Sequence, residues 1–467
     1  MSRRSCGLPL SYVVLCSSLL LGSLPLHALE LDFTSALSRL EAESETLQAA
    51  GEGLVRARAG LDEARGRRGP TLMLDARATR LDSALEADLR PVRDRLGGAL
   101  GGLGIALPPG FFPESFRLQE RQFYNLGLEA VQPLYVGGRI RAGLDAAEFG
   151  VEAERSAVEA TRGELHRVLT ERYFGQVLAA EVLSVREQTV LALQRHAEDA
   201  ARLEAEGLIA RAERLRASVA LAEALAERDT AREQLTLARS ALAALLASEQ
   251  PVEALTPIPP PPERPDRLRW QQRAEAGNPG LQEASRRLDQ AEAGQRAARG
   301  ERLPSVALFA RRELYTADLT LLDPDWAVGL QFSWPLYDAG QRRAREAGAR
   351  ARTGEVAQRL AAGRRDVALL VEQQVTRVLA ALDRHATFQA TATLADESLR
   401  AQQRAFEEGL ATSLDVIDAE LARARVALGE LAARQEAWVA MAALHAAAGL
   451  TGELPVVIEA ALHEHPR

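Results

Sequence analysis

At 467 residues, with 26% charged, 47% hydrophobic and only 4% aromatic side chains, the chain has room for several domains but few of the rings that usually dominate compact cores. Its formal charge of −8 argues against the basic surface of a nucleic-acid binder. All 57 basic residues are arginine, and without lysine there is neither a phosphate-binding P-loop nor a Schiff-base mechanism.

Residues 1–28 read as a secretory signal: Arg3 and Arg4, an apolar run from Leu8 to Leu26, then Leu26-His27-Ala28 as the cleavage site. Pro9, Ser11, Ser17, Ser18, Gly22 and Pro25 interrupt the run and disfavour a transmembrane anchor. Cys16 follows bulky Leu15, where a lipoprotein signal has a small residue, so no lipid anchor is expected. Cleavage removes two arginines and no acid, which leaves a mature charge of −10. It also removes Cys6 and Cys16, both cysteines of the chain, so disulfides and thiolate metal sites are excluded from the exported product. No later segment approaches the ~18 apolar residues of a spanning helix.

The remainder contains itself twice. Gln132-Pro133-Leu134-Tyr135-Val136-Gly137-Gly138-Arg139 recurs as Trp334-Pro335-Leu336-Tyr337-Asp338-Ala339-Gly340-Gln341, at an offset of 202. Glu206-Gly207-Leu208 recurs as Glu408-Gly409-Leu410 at the same offset. Between these marks, Leu165, Val168, Leu169, Tyr173, Val177 and Ala180 map onto Val367, Leu370, Val371, Val375, Leu379 and Leu382, each set one stripe of a long helix. Upstream the offset is 234: Leu47-Gln48 matches Leu281-Gln282, Arg65-Gly66 matches Arg299-Gly300, and Pro70 matches Pro304.

In chain order, the first repeat (29–250) predicts a helix, strands at about 70–80 and 122–132, and a long helical hairpin turning at Gly207. The insertion between its strands carries the glycines from Gly97 to Gly104 and Pro108-Pro109-Gly110. It has no lysine and no strand–helix context, and reads as a mobile surface loop. A connector (251–265) with seven prolines is expected to be extended and stiff. The second repeat (266–450) predicts strands at about 304–315 and 325–334 and a turn at Gly409; 451–467 is a C-terminal tail. Trp326, Val328, Leu330, Phe332 and Trp334 alternate with small or polar residues, as do Tyr124, Leu126, Leu128 and Ala130, the pattern of membrane-barrel strands. From Pro133 to Gly207 is 74 residues, on the order of 110 Å of helix, which persists only in a bundle or coiled coil.

These residues resemble the TolC-like outer-membrane efflux proteins. The likeness rests on Pro-Leu-Tyr-x-x-Gly after an alternating strand at Pro133 and Pro335, on Glu-Gly-Leu followed by Glu213, and on GLATSLDVIDAE from Gly409 to Glu420. It covers roughly Leu31 to Leu450. It implies a mainly α fold with a membrane β-barrel: a homotrimer whose subunits each give four strands to a twelve-stranded barrel, continued by a periplasmic α-helical tunnel. Independently, four strands cannot close a barrel alone, and lipid does not tolerate an open edge. The Gly97–Gly110 loop and the shorter one near Thr316 to Pro324 would then lie outside the cell, and Gly207 and Gly409 at the inner tip.

Asp415 and Asp418, three apart, share one helical face beside that tip. The resemblance places them at a cation-selective pore constriction, with Glu213 as the first-repeat equivalent of Asp415 and Phe406 as its aromatic neighbour. Converging carboxylates attract cations, as acidic rings in pores do. Ala411 departs from members that carry Arg there to hold the gate shut; that link is either weaker here or supplied by Arg211 or Arg214. Gly207, Leu208, Gly409 and Leu410 match tips that meet a periplasmic adaptor. Pro133, Tyr135, Gly138, Pro335, Tyr337 and Gly340 mark the strand-to-helix transitions, and Tyr124, Trp326 and Trp334 the membrane interface. The implied partners are a membrane-fusion adaptor, an inner-membrane pump of RND or ABC type, and outer-membrane lipid.

The seven histidines are scattered, with no His-Glu-x-x-His helix, and no Gly-x-Ser-x-Gly elbow is present. His463-Glu464-His465 reads as a solvated end. No enzyme activity, cofactor, metal or nucleic acid is expected. The leading reading is a passive outer-membrane exit duct for small molecules or proteins. The alternative is a periplasmic adaptor or coiled-coil scaffold without a pore, which would show one hairpin rather than two; a periplasmic hydrolase has no site to support it.

Overall fold

A computed structural model of the chain describes residues 29–104, 108, 110–111, 113–316 and 324–464. Residues 1–28, on which the expected signal falls, His465 and most of the second loop lie outside the described residues. The elements run β1 (Leu29–Leu31), α1 (Phe33–Glu43), α2 (Glu45–Gly66), β2 (Thr71–Arg80), β3 (Leu85–Asp88), α3 (Arg90–Gly101), β4 (Ser115–Gln119) and β5 (Gln122–Val136). They continue with α4 (Arg139–Ala205), α5 (Arg211–Leu245), β6 (Val252–Ala254), α6 (Arg267–Gly277), α7 (Pro279–Gly300), β7 (Ser305–Thr316) and β8 (Trp326–Ser333). The last are α8 (Gln341–Glu407), α9 (Ser413–Ala448) and α10 (Glu453–Glu464).

The duplication is written into these bounds. Helices α4 and α8 are each 67 residues long and begin 202 residues apart. Helices α2 and α7 are each 22 residues, and α1 and α6 each 11, both pairs offset by 234. The short helices start on side-chain caps: Ser44 before α2, Asp266 before α6 and Asn278 before α7 each accept a backbone N–H of the first turn.

Two compact units divide the chain, one of Met1–Ala42, Glu171–Ile258 and Phe388–Ala432, the other of Glu43–Thr170, Pro259–Thr387 and Ala433–Arg467. In the first, β1 pairs parallel with β6, joining the start of the chain to the connector. Tyr173 locks this pair, its hydroxyl donating to Leu31 O (2.8 Å) and accepting from Thr256 N (2.9 Å). Phe33 stacks on Phe174 (5.4 Å) and meets Tyr173 edge-on (5.3 Å). Tyr173→Phe keeps the rings, and Leu31 O keeps its bond from Leu255 N (3.0 Å), but the Thr256 N–H is stranded beside a fully buried side chain; we expect a loss of about 1–3 kcal/mol, read by thermal unfolding in detergent. An unchanged midpoint would show that water reaches the Thr256 N–H.

The second unit holds a four-stranded antiparallel sheet, order β2-β5-β7-β8. One face carries Leu72, Leu74, Leu126, Leu128, Leu308, Val328, Leu330 and Phe332. It is uncovered: Leu72, Val328, Leu330 and Phe332 are 60–69% exposed. The other face carries Asp75, Arg77, Asn125, Glu129, Arg311 and Glu313, with Arg311 and Glu313 paired at 2.6 Å. Within the chain β2 and β8 are edges. In the same unit the connector lies against Trp438, fully buried, whose indole N–H donates to Pro259 O (3.2 Å) and Pro260 O (2.9 Å).

Three segments are more ordered than their composition suggests. The first loop holds the β3–β4 hairpin and α3, a helix opened by Pro91 that buries none of its residues and takes in Gly97, Gly98 and Gly101. The region after Leu450 is not a plain tail: α10 seats Leu454 and Ile458 at 2% and 1% exposure. Strand β5 runs on through Pro133 to Val136 across an irregularity opposite β7, whereas β8 stops at Ser333 and leaves Trp334-Pro335-Leu336-Tyr337 outside the ladder. No described helix is long and apolar enough to cross a membrane.

Candidate channel entrance at the helix tips

All of the tip lies in the first unit. Helix α4 ends in a Schellman turn: Leu208 N bonds Leu203 O (2.8 Å) and Gly207 N bonds Glu204 O (2.9 Å), with Gly207 at φ +77°. The second repeat copies it, with Leu410 N on Ala405 O (2.7 Å), Gly409 N on Phe406 O (3.0 Å) and φ +73°. The leucine after each glycine in such a turn usually packs back on its helix. Here Leu208 and Leu410 stay 67% and 79% exposed, so each tip presents an apolar side chain to whatever lies beyond it.

Helix α9 opens with a reciprocal cap. Thr412 N and Oγ1 both donate to Asp415 Oδ2 (2.8 and 2.7 Å), and Asp415 N returns to Thr412 Oγ1 (3.4 Å). These bonds hold the Asp415 carboxyl below its usual range, so it stays ionised. Asp415 and Asp418 are both exposed and lie one turn apart.

Glu213 faces inward instead. Its Oε2 accepts from Ser413 N (3.1 Å) and its Oε1 meets Arg216 (2.6 Å), which ties α5 to the start of α9. Phe406, 5% exposed, is buried with Ala200, Ala217 and Val416, and Ala411 packs against the same cluster. Arg214 pairs with Glu204 (2.5 Å) across the first turn. The structure thus brings Glu213, Phe406 and the first residues of α9 together, while Asp415 and Asp418 point to solvent. Sequence reasoning missed His196 and Ser413, whose side chains bond at 2.6 Å; 217 residues apart, they carry no local signal. Among the described residues no group of three or more His, Cys, Asp or Glu is placed to hold a metal ion.

At the far ends of the repeats, Gly137 and Gly138 have φ +65° and +76°, and Ala339 and Gly340 +52° and +85°. Tyr135 and Tyr337 are 47% and 89% exposed, and Pro133 and Pro335 are half-buried. Tyr124, Trp326 and Trp334 are 56%, 68% and 53% exposed.

An uncovered apolar sheet carried with two matched helical hairpins defines a class, the barrel-and-hairpin proteins of the outer membrane. The chain belongs to the outer membrane efflux protein family, whose model matches residues 36–248 and 270–450. It is an outer-membrane efflux channel protein. Its fold is similar to that of VceC from Vibrio cholerae, an outer membrane protein (19% identity, 89% of this chain and 96% of that one, TM-score 0.72). It is likewise similar to CusC (18%, 90% and 93%, TM-score 0.72). The open state of the MtrE outer membrane channel of Neisseria gonorrhoeae is a third (19%, 89% and 88%, TM-score 0.70). No match is found among curated proteins.

Proposed function

We propose that three copies of the chain close a twelve-stranded barrel and act as the passive exit duct of a tripartite efflux or type I secretion system. The observation that carries this is the four-stranded sheet with an exposed apolar face and two unpaired edges. Such edges are intolerable in lipid unless other copies pair them. The 1–28 segment serves as a cleaved signal and no lipid anchor is added. The duct is passive, and energy comes from an inner-membrane pump of RND or ABC type. The exposed Leu208 and Leu410 beside Gly207 and Gly409 suit end-to-end docking with a periplasmic adaptor. Asp415 and Asp418 line the entrance and select cations.

Purified protein in a planar bilayer is expected to give small cation-selective conductance steps, blocked by divalent ions added on the tip side. Protein that stays monodisperse without detergent and never inserts would discard the barrel in favour of a periplasmic scaffold.

A further inference from the structure

His196 has no part in the duct as proposed, yet it is buried at the tip. It lies on α4, 7% exposed, with Nε2 2.6 Å from Ser413 Oγ and its ring 4.7 Å from that of Phe406 on α8. Ser413 is fully buried and is the first residue of α9. Its backbone N–H is already held by Glu213 of α5. One residue at the start of α9 is therefore gripped from both helices of the first hairpin, by a carboxylate through its backbone and by an imidazole through its side chain.

We infer that His196 is a proton-controlled positioning residue of the tip, which holds Ser413 and the start of α9 against the first hairpin when neutral and releases them when protonated. This rests on the reading of the tips as the channel entrance.

The reasoning is electrostatic. Burial beside Phe406 and Val416 disfavours a charged ring, and it holds the His196 pKa below its usual 6.5, opposed mainly by Asp199. The charged groups facing the ring offer no full counter-charge. On α4, Asp199 is already paired with Arg202, and Arg195 lines the same cavity of ≈ 560 Å³, as does Glu206 just past the helix end. On α5, Glu213 is committed to Ser413 and Arg216. Helix α8 contributes Glu407 and α9 contributes Glu420. Burial pushes the Glu420 carboxyl up, against the pull of Arg423, which weakens it as a counter-charge for the ring. Asp199 and a backbone bond at Ser413 favour the charged ring, but less than burial opposes it, so protonation weakens the packed contact. The sign follows: with the packed-state pKa depressed, the contact has its full strength above pH 6.5 and weakens as pH falls below it.

The test compares wild type with His196→Gln, whose amide still reaches a hydroxyl but cannot titrate, by two readouts. The first is tip-side pH dependence of bilayer conductance. The second is hydrogen exchange of the amides at the start of α9 in detergent, corrected for intrinsic rates. On passing from pH 8 to pH 5.5 we expect both to rise on the order of tenfold in wild type, a usual size for such coupling, and to stay flat in the variant. A variant that keeps the wild-type pH profile overturns the inference, as does wild-type exchange that ignores pH. Exchange that responds to pH in protein that never conducts would support the contact's proton response while overturning the channel reading.

Discussion

Gly137→Ala is expected to be among the most damaging single-methyl changes in the chain. A Cβ on Gly137 would lie 2.3 Å from Gly300 O and 2.8 Å from Leu303 Cβ, and one on Gly300 would lie 2.4 Å from Gly137 O. Here the end of β5 turns into α4 with its backbone pressed on the end of α7, and the obstacle is main chain, which cannot rotate aside. Two costs combine: roughly 1–2 kcal/mol for an L-residue at φ +65°, and about 1–3 kcal/mol of overpacking. A total of about 2–5 kcal/mol is a large share of ordinary stability. Gly138→Ala supplies the control, because Gly138 has φ +76° but nothing within 4 Å of the added methyl, so it keeps only the first cost. Thermal unfolding of both variants in detergent decides the matter; equal midpoints would mean the Gly137–Gly300 approach relaxes freely. The second repeat supports the logic, since Ala339 stands where Gly137 does, at φ +52°.

The second large effect concerns the entrance. Asp415→Asn with Asp418→Asn should weaken divalent block of the pore by roughly tenfold or more, the loss of at least about 1.4 kcal/mol of cation binding. Asparagine is the informative choice. Asp415 Oδ2 caps Thr412, and Ala would remove that cap as well, at a cost of about 1 kcal/mol to the start of α9. The amide oxygen of Asn keeps the acceptor and removes only the charge. Undiminished block in the double variant would remove both aspartates from the constriction. The pH dependence is also defined. The bonds from Thr412 depress the Asp415 pKa, so its carboxylate remains charged as pH falls to 3.8, and its share of the block should survive mild acid. The proton response assigned to His196 begins higher, below pH 6.5, so the two are separable in one titration.

Much of the architecture was legible because the chain repeats itself. Fixed offsets of 202 and 234 demanded equal elements, and α4 with α8, and α2 with α7, have identical lengths. Period-2 alternation marked about 325–334 as a strand, and β8 runs Trp326–Ser333. Glycine at 207 and 409 marked the turns, because a Schellman turn needs a left-handed residue there. The geometry of the helix tips was half legible. Asp415 and Asp418 share a face by helical spacing alone, but nothing in their spacing reveals that Asp415 also caps α9.

What sequence periodicity determined by itself was local: helix length, strand alternation and the sites of reversal, all dictated within a few residues. Tertiary structure alone decided which distant groups meet. The parallel pairing of Leu29–Leu31 with Val252–Ala254, the Tyr173 hydroxyl shared between Leu31 and Thr256, and the His196–Ser413 bond each join residues far apart in the chain. So does the backbone contact that forbids a side chain at Gly137. Such contacts depend on how helices and strands pack, and a hydrogen-bond donor or a missing Cβ has the same letter in the sequence whether or not its partner is near.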